Sequence, residues 1–522
     1  MLPIADVNLY YLLWVFPLLF LYYYVVDVVH TWRSGKEYPV MWSPTALTPR
    51  FVLNFLFSVR AQKLCRDSYQ RFKDRAIQFV RTDGNLLVLP YAVLDELSNL
   101  PPTVANVAGA IDQELLGQYT GLNVILENRL HSSIVQRRLT PRIPTLVPTL
   151  EKAVTAAFNE YFPKADGDGW TTITPFKIFV DIAARVNAPA LVGTSFAEDP
   201  EWLEIAVEFT EQVMHTMVVL RMLPVFMHPI VARFLPSYWT GRRVVRNARK
   251  YLAPIVEKML AESDSGAWDP INSTKEEDSN TLSWLAGSVK GAERKTEKLA
   301  NTLLLLAFAS THTTLTRIAN CLYDMTAADP AIWKEMAAEV ESVAAEPQGW
   351  TDVPYDRLHK LDSLLRESQR ISPTMLMGMK RLFKQPYTFQ NGIHVPAGTF
   401  VGMLVQEIAS DPDIIPNPEV FDPLRSYREK EKLGFDNPAA KEFNFTAATK
   451  TALGFGYGRL ACPGRFFASL VIKMIFVKLF TEYEFKFMPG EGRPNILSLQ
   501  DFLITSPHQQ MMVRRTGGVC PF

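Results

Sequence analysis

The sequence FGYGRLACPGRFF, residues 455–467, places one cysteine among several glycines, directly before an apolar run. Gly456 and Gly458 permit tight turns, and Pro463 suits the first position of a helix. The run that follows, GRFFASLVIKMIFVKLF, predicts a buried helix. A thiol at a helix N-terminus lies near unpaired N–H groups and the positive end of the helix dipole, which both favour a thiolate. Cys462 is therefore a candidate nucleophile or metal ligand.

Three interpretations of Cys462 follow from its neighbours. A nucleophile needs a base beside it, and the histidines nearest in sequence, His394 and His508, are distant. A buried, inert cysteine at the start of a core helix is the structural alternative. A flat, apolar ligand fits best, because apolar side chains surround the thiol in sequence: Phe455, Leu460, Phe466 and Phe467.

The composition narrows the class of protein. The chain has 522 residues, and its 54 Lys and Arg residues balance 54 Asp and Glu residues. Nucleic acid is therefore not an expected partner, because phosphate binding needs a basic excess or a basic face. Four cysteines without metal-ligand spacing form no disulfide framework, which indicates a reducing compartment.

The N-terminus predicts a membrane anchor. Residues 7–26 carry no charge, and we expect a transmembrane helix over about 7–29 within an anchor of residues 1–30. Arg33 and Lys36 follow it, so the N-terminus should lie across the membrane and the rest in the cytosol. A cleaved signal peptide is the alternative, but the apolar run is long for one. Residues 31–50 are proline-bearing and predict a tether, which leaves 51–522 as the main domain.

Beyond the tether, the helical period dominates residues 51–260, and residues 262–283 are polar and turn-rich. A long buried helix is predicted over Ala292–Ala327. The stretch Tyr387–Val405 is strand-like and is interrupted by Asn391-Gly392 and by a turn at 396–398, which predicts a hairpin. The fold class expected is mainly α with a small β region.

Three more motifs carry charged or hydroxyl side chains. Glu367 and Arg370 are three residues apart and share a helix face. The segment FDPLR, residues 421–425, supplies Arg425. The segment ASTHTT, residues 309–314, puts hydroxyls in the middle of the long apolar helix, where they are expected to bond back to carbonyls one turn earlier.

FGYGRLACPG resembles the haem-binding signature of the cytochrome P450 family, Phe-x-x-Gly-x-Arg-x-Cys-x-Gly. Phe455, Gly458, Cys462 and Gly464 match it. Leu460 stands where the family has an arginine that helps to hold a haem propionate, and Arg459 lies one residue earlier. The resemblance implies that Cys462 is the iron ligand and that Arg459 or another basic residue takes the place of the missing arginine at the propionate.

The other motifs resemble the family in the same order. Glu367, Arg370 and Arg425 correspond to its buried Glu-Arg-Arg cluster, with a structural role. Thr313 takes the position of the oxygen-activating threonine, in a helix locally opened above the haem. Ser310 replaces the usual glycine, and His312 replaces the usual acid. A histidine with an ordinary pKa of ~6.5 can still carry protons, so we expect the relay to survive in altered form.

The resemblance extends to fungal kaurene-oxidase-like members and implies the whole catalytic assembly. Haem b, iron protoporphyrin IX, would lie between the long central helix and the cysteine-bearing loop and helix. The partners implied are an NADPH-cytochrome P450 reductase, cytochrome b5, O2, membrane lipid and an apolar substrate such as a terpenoid. Arg137 or Arg138 is a further propionate candidate. A haem-thiolate isomerase or dehydratase that does not use O2, and a non-catalytic haem-binding membrane protein, remain alternatives.

Overall fold

The computed structural model describes residues 9–35, 37–41, 45, 48–81, 83–163, 169–273, 275–350 and 354–522. The helices are α1 (Leu9–Gly35), α2 (Arg50–Phe72), α3 (Leu94–Asn99), α4 (Val107–Leu115), α5 (Gly117–Thr120), α6 (Leu130–Ile134), α7 (Ile143–Tyr161), α8 (Pro175–Val192), α9 (Thr194–Ala197), α10 (Pro200–Arg221), α11 (His228–Val231), α12 (Pro236–Asp264), α13 (Thr281–Ser288), α14 (Thr296–Ala327), α15 (Pro330–Ala344), α16 (His359–Ile371), α17 (Val405–Ile408), α18 (Arg425–Leu433) and α19 (Arg465–Glu482).

The strands are β1 (Ile77–Arg81), β2 (Gly84–Val88), β3 (Ala105–Asn106), β4 (Thr171–Ile173), β5 (Gly378–Phe383), β6 (Tyr387–Thr388), β7 (His394–Val395), β8 (Phe400–Met403), β9 (Tyr483–Phe487), β10 (Leu497–Leu499), β11 (Phe502–Ile504) and β12 (Met511–Arg515). The largest sheet has five strands in the order β1-β2-β8-β5-β3. Within it β2 and β8 are parallel, which joins two segments that are far apart in the chain.

Helix α14 is the centre of the helical body. It packs against α8, α10, α12, α16 and α19, and most of its side chains are buried. Helix α19 is also buried on nearly every side, as a helix that is apolar all round must be. These two helices bring the hydroxyl motif and the cysteine loop into one core.

The predicted class, mainly helical with a small β region, is confirmed. The hairpin expected in 387–405 exists as β6 and β7, while β8 joins the large sheet. Residues 51–260 are mostly helical, as predicted, but they also contain short strands, of which β1 and β2 form an antiparallel pair. The long helix begins at Thr296 rather than at Ala292.

The N-terminal helix α1 ends at Gly35, beyond the anchor boundary expected at residue 30. Residues 7 and 8 of the expected span, and 36, 42–44, 46 and 47 of the expected tether, lie outside the described residues. Within the part of the chain that is described, no helix combines the length and the apolar character needed to cross a bilayer, so the crossing expected over 7–29 is not confirmed. In the tether, Met41 N–H donates to the carbonyl of Gln78 in β1 at 2.9 Å.

Candidate functional site

The cysteine loop is a tight backbone structure that delivers Cys462 to the start of α19. Gly456 and Gly458 have φ of 79° and 69°, values that favour glycine. The N–H of Cys462 donates to the carbonyl of Phe455 at 2.8 Å, which closes the loop. Gly464 is the N-cap of α19, so Pro463 lies one position before the cap and not at the first helical position that the sequence predicts.

Cys462 is exposed, in a loop whose other residues are mostly half-buried or exposed. Desolvation by the surrounding protein raises its pKa, and the backbone N–H groups of Gly464 and Arg465 oppose that rise. The helix N-terminus therefore acts in the expected direction but does not outweigh desolvation. A cation at the sulfur is what would hold this cysteine as a thiolate.

Helix α14 has an accessible stripe in its otherwise buried middle. Ala309 and Thr313, one turn apart, are both exposed, while their neighbours Phe308 and Thr314 are buried. The hydroxyl of Thr313 donates to the carbonyl of Ala309 at 2.7 Å, as expected for a threonine inside a helix. Exposure in mid-helix indicates an internal opening beside this stripe. The helix is continuous here, so the local opening expected in its backbone is absent from α14.

His312 lies beside that stripe, and its pKa differs from the ordinary value that the expected proton relay assumes. Its ring is parallel to Phe308, with the centroids 6.2 Å apart. Burial lowers the pKa of His312 to about 4, well below the ordinary value on which the expected proton relay depends. The imidazole is therefore neutral near pH 7, when it offers one N–H donor and one acceptor nitrogen. Backbone pairing also holds Ser310, whose hydroxyl donates to the carbonyl of Ala307 at 3.2 Å.

Glu367, Arg370 and Arg425 lie together. Arg370 donates to both carboxylate oxygens of Glu367, at 2.9 and 2.7 Å, and Nε of Arg425 donates to Oε2 at 3.2 Å. The N–H of Asp422 adds a bond to Oε1 at 3.0 Å. The other N–H groups of Arg370 and Arg425 donate to loop carbonyls, including those of Pro418 and Val420. The cluster thus fastens α16 to the segment that precedes α18.

The basic residues proposed for the propionates lie elsewhere. Arg459 is exposed, and its guanidinium donates to the carbonyl of Asn99, the last residue of α3, at 3.3 Å. Leu460 is half-buried. Arg137 is exposed and Arg138 is half-buried, both in the π-helical turn Val135–Leu139. None of these side chains is a buried cation.

A buried cation that sequence reasoning missed is Arg381 in β5. Its side chain is 4% exposed, and Nη1 donates to the carbonyl of Lys380 at 2.8 Å. No carboxylate in the described ranges forms an ion pair with it, and desolvation lowers its pKa to about 10. A buried guanidinium without a counter-ion is costly and favours an anionic ligand. Strand alternation was the available signal, because it puts Arg381 on the buried face with Met379 and Phe383.

Sequence reasoning also missed a buried ion-pair cluster around Asp362, which joins α16 to α18 and α19. Buried Asp362 in α16 bonds Lys473 of α19 at 2.7 Å and Lys430 of α18 at 3.0 Å, and it accepts the N–H of Phe445 at 2.8 Å. Although burial opposes it, attraction to the two lysines holds the pKa of Asp362 well below its usual range. The helix that carries the cysteine is therefore tied to α16 by charge as well as by apolar packing.

These residues fit the iron porphyrin that the motifs imply. Cys462 offers an accessible sulfur, Arg381 offers an unpaired buried cation for a carboxylate, and Ala309 and Thr313 line an opening on α14. Since α14 packs against α19, the stripe and the cysteine helix belong to the same part of the core.

Comparisons with known proteins identify the family to which the chain belongs. Residues 117–513 match the family model described as Cytochrome P450. The chain is 32% identical to Cytochrome P450 monooxygenase AN1598 of Emericella nidulans, over 90% of this chain and 85% of that protein. It is 28% identical to an ent-kaurene oxidase of Fusarium fujikuroi, over 98% and 94% of the two chains.

A third relative is Cytochrome P450 monooxygenase penP of Penicillium crustosum, with 30% identity over 96% of this chain and 95% of that one. Among solved structures, the retinoic acid bound cyanobacterial CYP120A1 superposes with a TM-score of 0.61 at 18% identity. That alignment covers 88% of this chain and 96% of the other, and it supports the fold.

Proposed function

Because the chain belongs to the cytochrome P450 family of haem-thiolate monooxygenases, we propose that it inserts one oxygen atom from O2 into an apolar terpenoid or related secondary metabolite. The observation that carries this proposal is the accessible thiol of Cys462 at the start of α19, combined with the accessible Ala309–Thr313 stripe on the adjoining helix α14. The substrate class is supported by relatives named for ent-kaurene oxidation.

Each residue of the site has a role in this proposal. Cys462 would hold the porphyrin iron by its sulfur, Phe455 and Gly458 would shape the loop that carries Cys462, and Arg381 would bind a propionate carboxylate. When bound, a porphyrin iron with a cysteine ligand supplies electron density that favours O–O cleavage. Thr313 would hold a water molecule by its hydroxyl, so that a proton can be delivered at that position.

His312 has a different role from the expected acid. A neutral imidazole beside an apolar wall can donate one hydrogen bond and accept another, so His312 orients a water molecule or a polar group of the substrate. Glu367, Arg370 and Arg425 act structurally, by holding α16 against the segment before α18.

Electrons come from a separate protein in this proposal, an NADPH-cytochrome P450 reductase, with cytochrome b5 as a second donor. A docking position is supported by a cleft of about 480 Å³ on the outer side of the cysteine loop, lined by residues that include Lys441, Tyr457, Arg459 and Arg465. Lys450 is paired with Asp95 at 2.5 Å and contributes less free charge to this face.

We also infer that α1 attaches the protein to the endoplasmic reticulum membrane with the catalytic domain, residues 51–522, in the cytosol. The exposed apolar side chains of α1, among them Trp14, Leu18 and Tyr22, support this. The base of α1 is fixed to α2, because Asp27 accepts the N–H of Arg50 at 2.7 Å. Extraction of membranes with alkaline carbonate tests the attachment, since a protein held only by charge is released.

The first experiment is a reduced, carbon-monoxide difference spectrum of the membrane-expressed protein. We expect the strongly red-shifted Soret band of a thiolate-bound haem, and its loss in Cys462→Ser. Cys65→Ser, which changes a buried cysteine away from the proposed site, is the control and should keep the band. A red-shifted band in Cys462→Ser would remove that residue as the ligand.

The second experiment separates oxygen insertion from the alternatives. With reductase, NADPH and a panel of terpenoids, a monooxygenase incorporates label from isotopic dioxygen into product. Product formed without NADPH and without label would favour the isomerase or dehydratase, which the Ser310 and His312 departures keep in view. Haem binding without any substrate-dependent NADPH use across a broad panel would favour the non-catalytic protein.

A further inference from the structure

Charged side chains from separate elements meet in the interior of the molecule. They are Glu114 of α4, Arg221 at the end of α10, Lys380 of β5 and Asp501 between β10 and β11. Lys380 pairs with both carboxylates, and Arg221 lies 3.3 Å from Glu114 and 3.4 Å from Asp501. Lys380 is the least buried of the four, with 10% of its side chain exposed. Because the burial of ions costs free energy, stability alone does not explain such a cluster.

The cluster is electrically neutral. Arg81 joins it by donating to Asp83 and to Glu114, both at 2.6 Å. Among the described residues, its ion pairs therefore connect three cations with three carboxylates, namely Arg81, Arg221 and Lys380 with Asp83, Glu114 and Asp501. A further charge brought into this interior would lack a partner, whereas a neutral polar group needs none.

The ammonium of Lys380 keeps one N–H that no oxygen of the described residues accepts. An ammonium has three donors, and the carboxylates of Glu114 and Asp501 take two of them. The third contact is the sulfur of Met375 at 4.0 Å, and a thioether is a weak acceptor. The ring of Phe502 lies on the same ammonium, with its centre 5.3 Å from Nζ. A better acceptor could therefore take the place of the sulfur.

Met375 lies close to the opening beside α14. Its side chain is 36% exposed, although Leu376 and Met377 after it are buried. The segment leaves α16 at Ser372, whose carbonyl accepts from Arg317, about one turn beyond Thr313 on α14, at 2.7 Å. Three residues of chain span at most about 10 Å, so Met375 cannot lie far from that helix.

The other exposed side chains around this opening are apolar. Ile111 is exposed on α4, one turn before Glu114. Leu126 is 50% exposed in the turn Asn123–Leu126, which packs against both α4 and α14. Binding sites for small molecules are typically apolar, with a few polar groups that fix the orientation of the ligand. Lys380 is such a polar group at the edge of this apolar wall.

The backbone around the cluster is strained. Leu116, Met379 and Gln500 have φ of 51°, 54° and 53°, and each lies within two residues of a member of the cluster. The side-chain oxygen of Gln500 accepts from Arg221 at 2.9 and 2.6 Å, and its amide donates to Asn54 at 3.1 Å. Strained residues persist where their surroundings hold them, and they occur often at binding sites. The ammonium of Lys380 is thus held in place before any ligand arrives.

We propose that Lys380 anchors a neutral oxygen group, a hydroxyl or a carbonyl, of an otherwise apolar substrate. This rests on the oxygen insertion proposed above and narrows its substrate class to skeletons that already carry an oxygen. The substrate oxygen accepts the third N–H of Lys380 in place of the sulfur of Met375, while the apolar body extends towards Ala309 and Thr313. A reaction that places an oxygen on the hydrocarbon skeleton must therefore precede this one.

The test measures binding to the full-length haem-loaded protein without NADPH, so that turnover does not enter. The probes are androstane, its alcohols and ketones with one oxygen on either end ring, and the matching carboxylic acids. Ent-kaurene and its monohydroxy derivatives provide a second skeleton. The Kd comes from titration of the Soret band. At least one alcohol or ketone should bind roughly tenfold to a hundredfold more tightly than its hydrocarbon, as expected for a hydrogen bond to a charged donor.

Two variants of Met375 leave every charge of the cluster in place. Met375→Gln offers Lys380 an oxygen from the protein, so the preference for oxygenated probes should fall by roughly tenfold. Binding of the hydrocarbons should not change. Met375→Leu, of similar size and without an acceptor, is the matched control and should keep the preference. Each comparison is made for one probe between two proteins, so the partition of the probe into detergent cancels.

A third variant removes the anchor itself. Lys380→Met/Asp501→Asn takes away one charge of each sign, so the cluster stays neutral and Glu114 keeps its two arginines. The preference for oxygenated probes should disappear. Lys384→Met, in an exposed lysine just beyond β5, is the control and should bind all probes like wild type. The carbon-monoxide spectrum of every variant reports that the haem site is folded.

Three outcomes would overturn the proposal. The first is that wild type binds no alcohol or ketone more tightly than its hydrocarbon. The second is a preference for the carboxylic acids, which would assign the site to an anion. The third is an undiminished preference in Lys380→Met/Asp501→Asn. Oxygen insertion is tested separately, because an oxygenated probe that binds by Lys380 but gains no label from isotopic dioxygen would support the anchor and count against the monooxygenase.

Discussion

Thr313 forms a hydrogen bond within α14 and also presents its side chain to the internal opening. Its hydroxyl hydrogen is given to the carbonyl of Ala309, yet the side chain is exposed in the middle of a buried helix. The oxygen lone pairs therefore remain available to accept from a water molecule. A hydroxyl in this position can turn between donor and acceptor roles without any movement of the helix.

We expect Thr313→Ala to uncouple reductant use from product formation. Haem binding and NADPH consumption should remain, while product per NADPH falls by roughly tenfold or more, because a positioned proton donor is lost. Thr313→Ser is the control that keeps the hydroxyl, and it should recover most of the coupling. The ratio of product to NADPH consumed is the measurement, and an unchanged ratio in Thr313→Ala would remove this residue from the proton path.

Replacement of Arg381 should have opposite effects on two properties, the stability of the haem-free protein and the retention of haem. A buried guanidinium without a carboxylate partner destabilises the haem-free chain, whereas a propionate would satisfy it. We expect Arg381→Met to raise the stability of the haem-free protein and to weaken haem retention by about tenfold to a hundredfold. Haem content after transfer to an excess of apomyoglobin measures retention, and urea unfolding of the haem-free protein measures stability.

The control for Arg381 is Lys384→Met, an exposed cation just beyond the same strand. It should change neither quantity. If Arg381→Met retains haem like wild type, the propionate assignment is wrong, whatever its effect on stability.

At the scale of elements, the Glu367 cluster joins α16 to an irregular segment that has little packing of its own. Arg370 and Arg425 share one carboxylate and give their other N–H groups to the carbonyls of residues 409–420. Removal of the carboxylate would leave two largely buried cations, and the loop would lose its attachment.

We expect Glu367→Ala to destabilise the protein by ~3–5 kcal/mol, because breaking a buried ion pair leaves charge uncompensated. Arg425→Lys should also destabilise, since an ammonium cannot reproduce the planar fork that reaches several carbonyls. Glu429→Ala, which removes a carboxylate from a surface pair with Lys432, is the control and should cost ~0–1 kcal/mol. Equilibrium urea unfolding compares the three, and a small effect of Glu367→Ala would contradict a structural role.

The sequence predicts long periodic elements well and non-local ones poorly. Helix α14 and the helix after Cys462 are visible because their apolar residues recur at helical spacing over many turns. Strands β1 and β2 were missed, although Asp83-Gly84 marks the turn between them. Strand β2 also pairs with β8, which lies far away in the chain, and no local sequence pattern predicts such a pairing.

The candidate site divides in the same way. Cys462, Thr313 and the Glu367 motif are short local patterns. Local spacing predicts the helix after Cys462, the bond from Thr313 to Ala309 and the Glu367–Arg370 pair, while the roles of these residues at a haem stay predictions. The environment of each group, by contrast, is not visible in the sequence. The low pKa of His312 and the missing counter-ion of Arg381 depend on burial by distant segments, so neither could be predicted from spacing.

At the scale of the whole molecule, buried charge holds distant segments together. Glu114 of α4 accepts from Arg81 of β1 at 2.6 Å and also pairs with Lys380 of β5. Lys380 pairs in turn with Asp501, between β10 and β11. This cluster is internally compensated, so it should be stable across neutral pH. A buried carboxylate that lacks such compensation should instead make global stability depend on pH.

Glu407 of α17 is such a carboxylate. It is 9% exposed, and desolvation raises its pKa to about 7, against the opposing effect of Arg66. The folded protein therefore binds a proton at this site between about pH 4.5 and pH 7 that the unfolded chain releases. Stability should be highest at the acidic end of this window, fall as the pH rises through it and level off above pH ~7.

We expect Glu407→Gln to remove that dependence. The variant and wild type should unfold with similar free energies near pH 5, where the wild-type carboxyl is protonated in the folded state. Near pH 8 the variant should be more stable by up to ~3 kcal/mol, the free energy of the raised pKa. Glu419→Gln, in an exposed carboxylate, controls for the loss of one negative charge. Urea unfolding of the haem-loaded protein at both pH values gives the double difference. Equal effects of the two substitutions at pH ~8 would show that overall charge, and not burial of Glu407, sets the alkaline loss of stability.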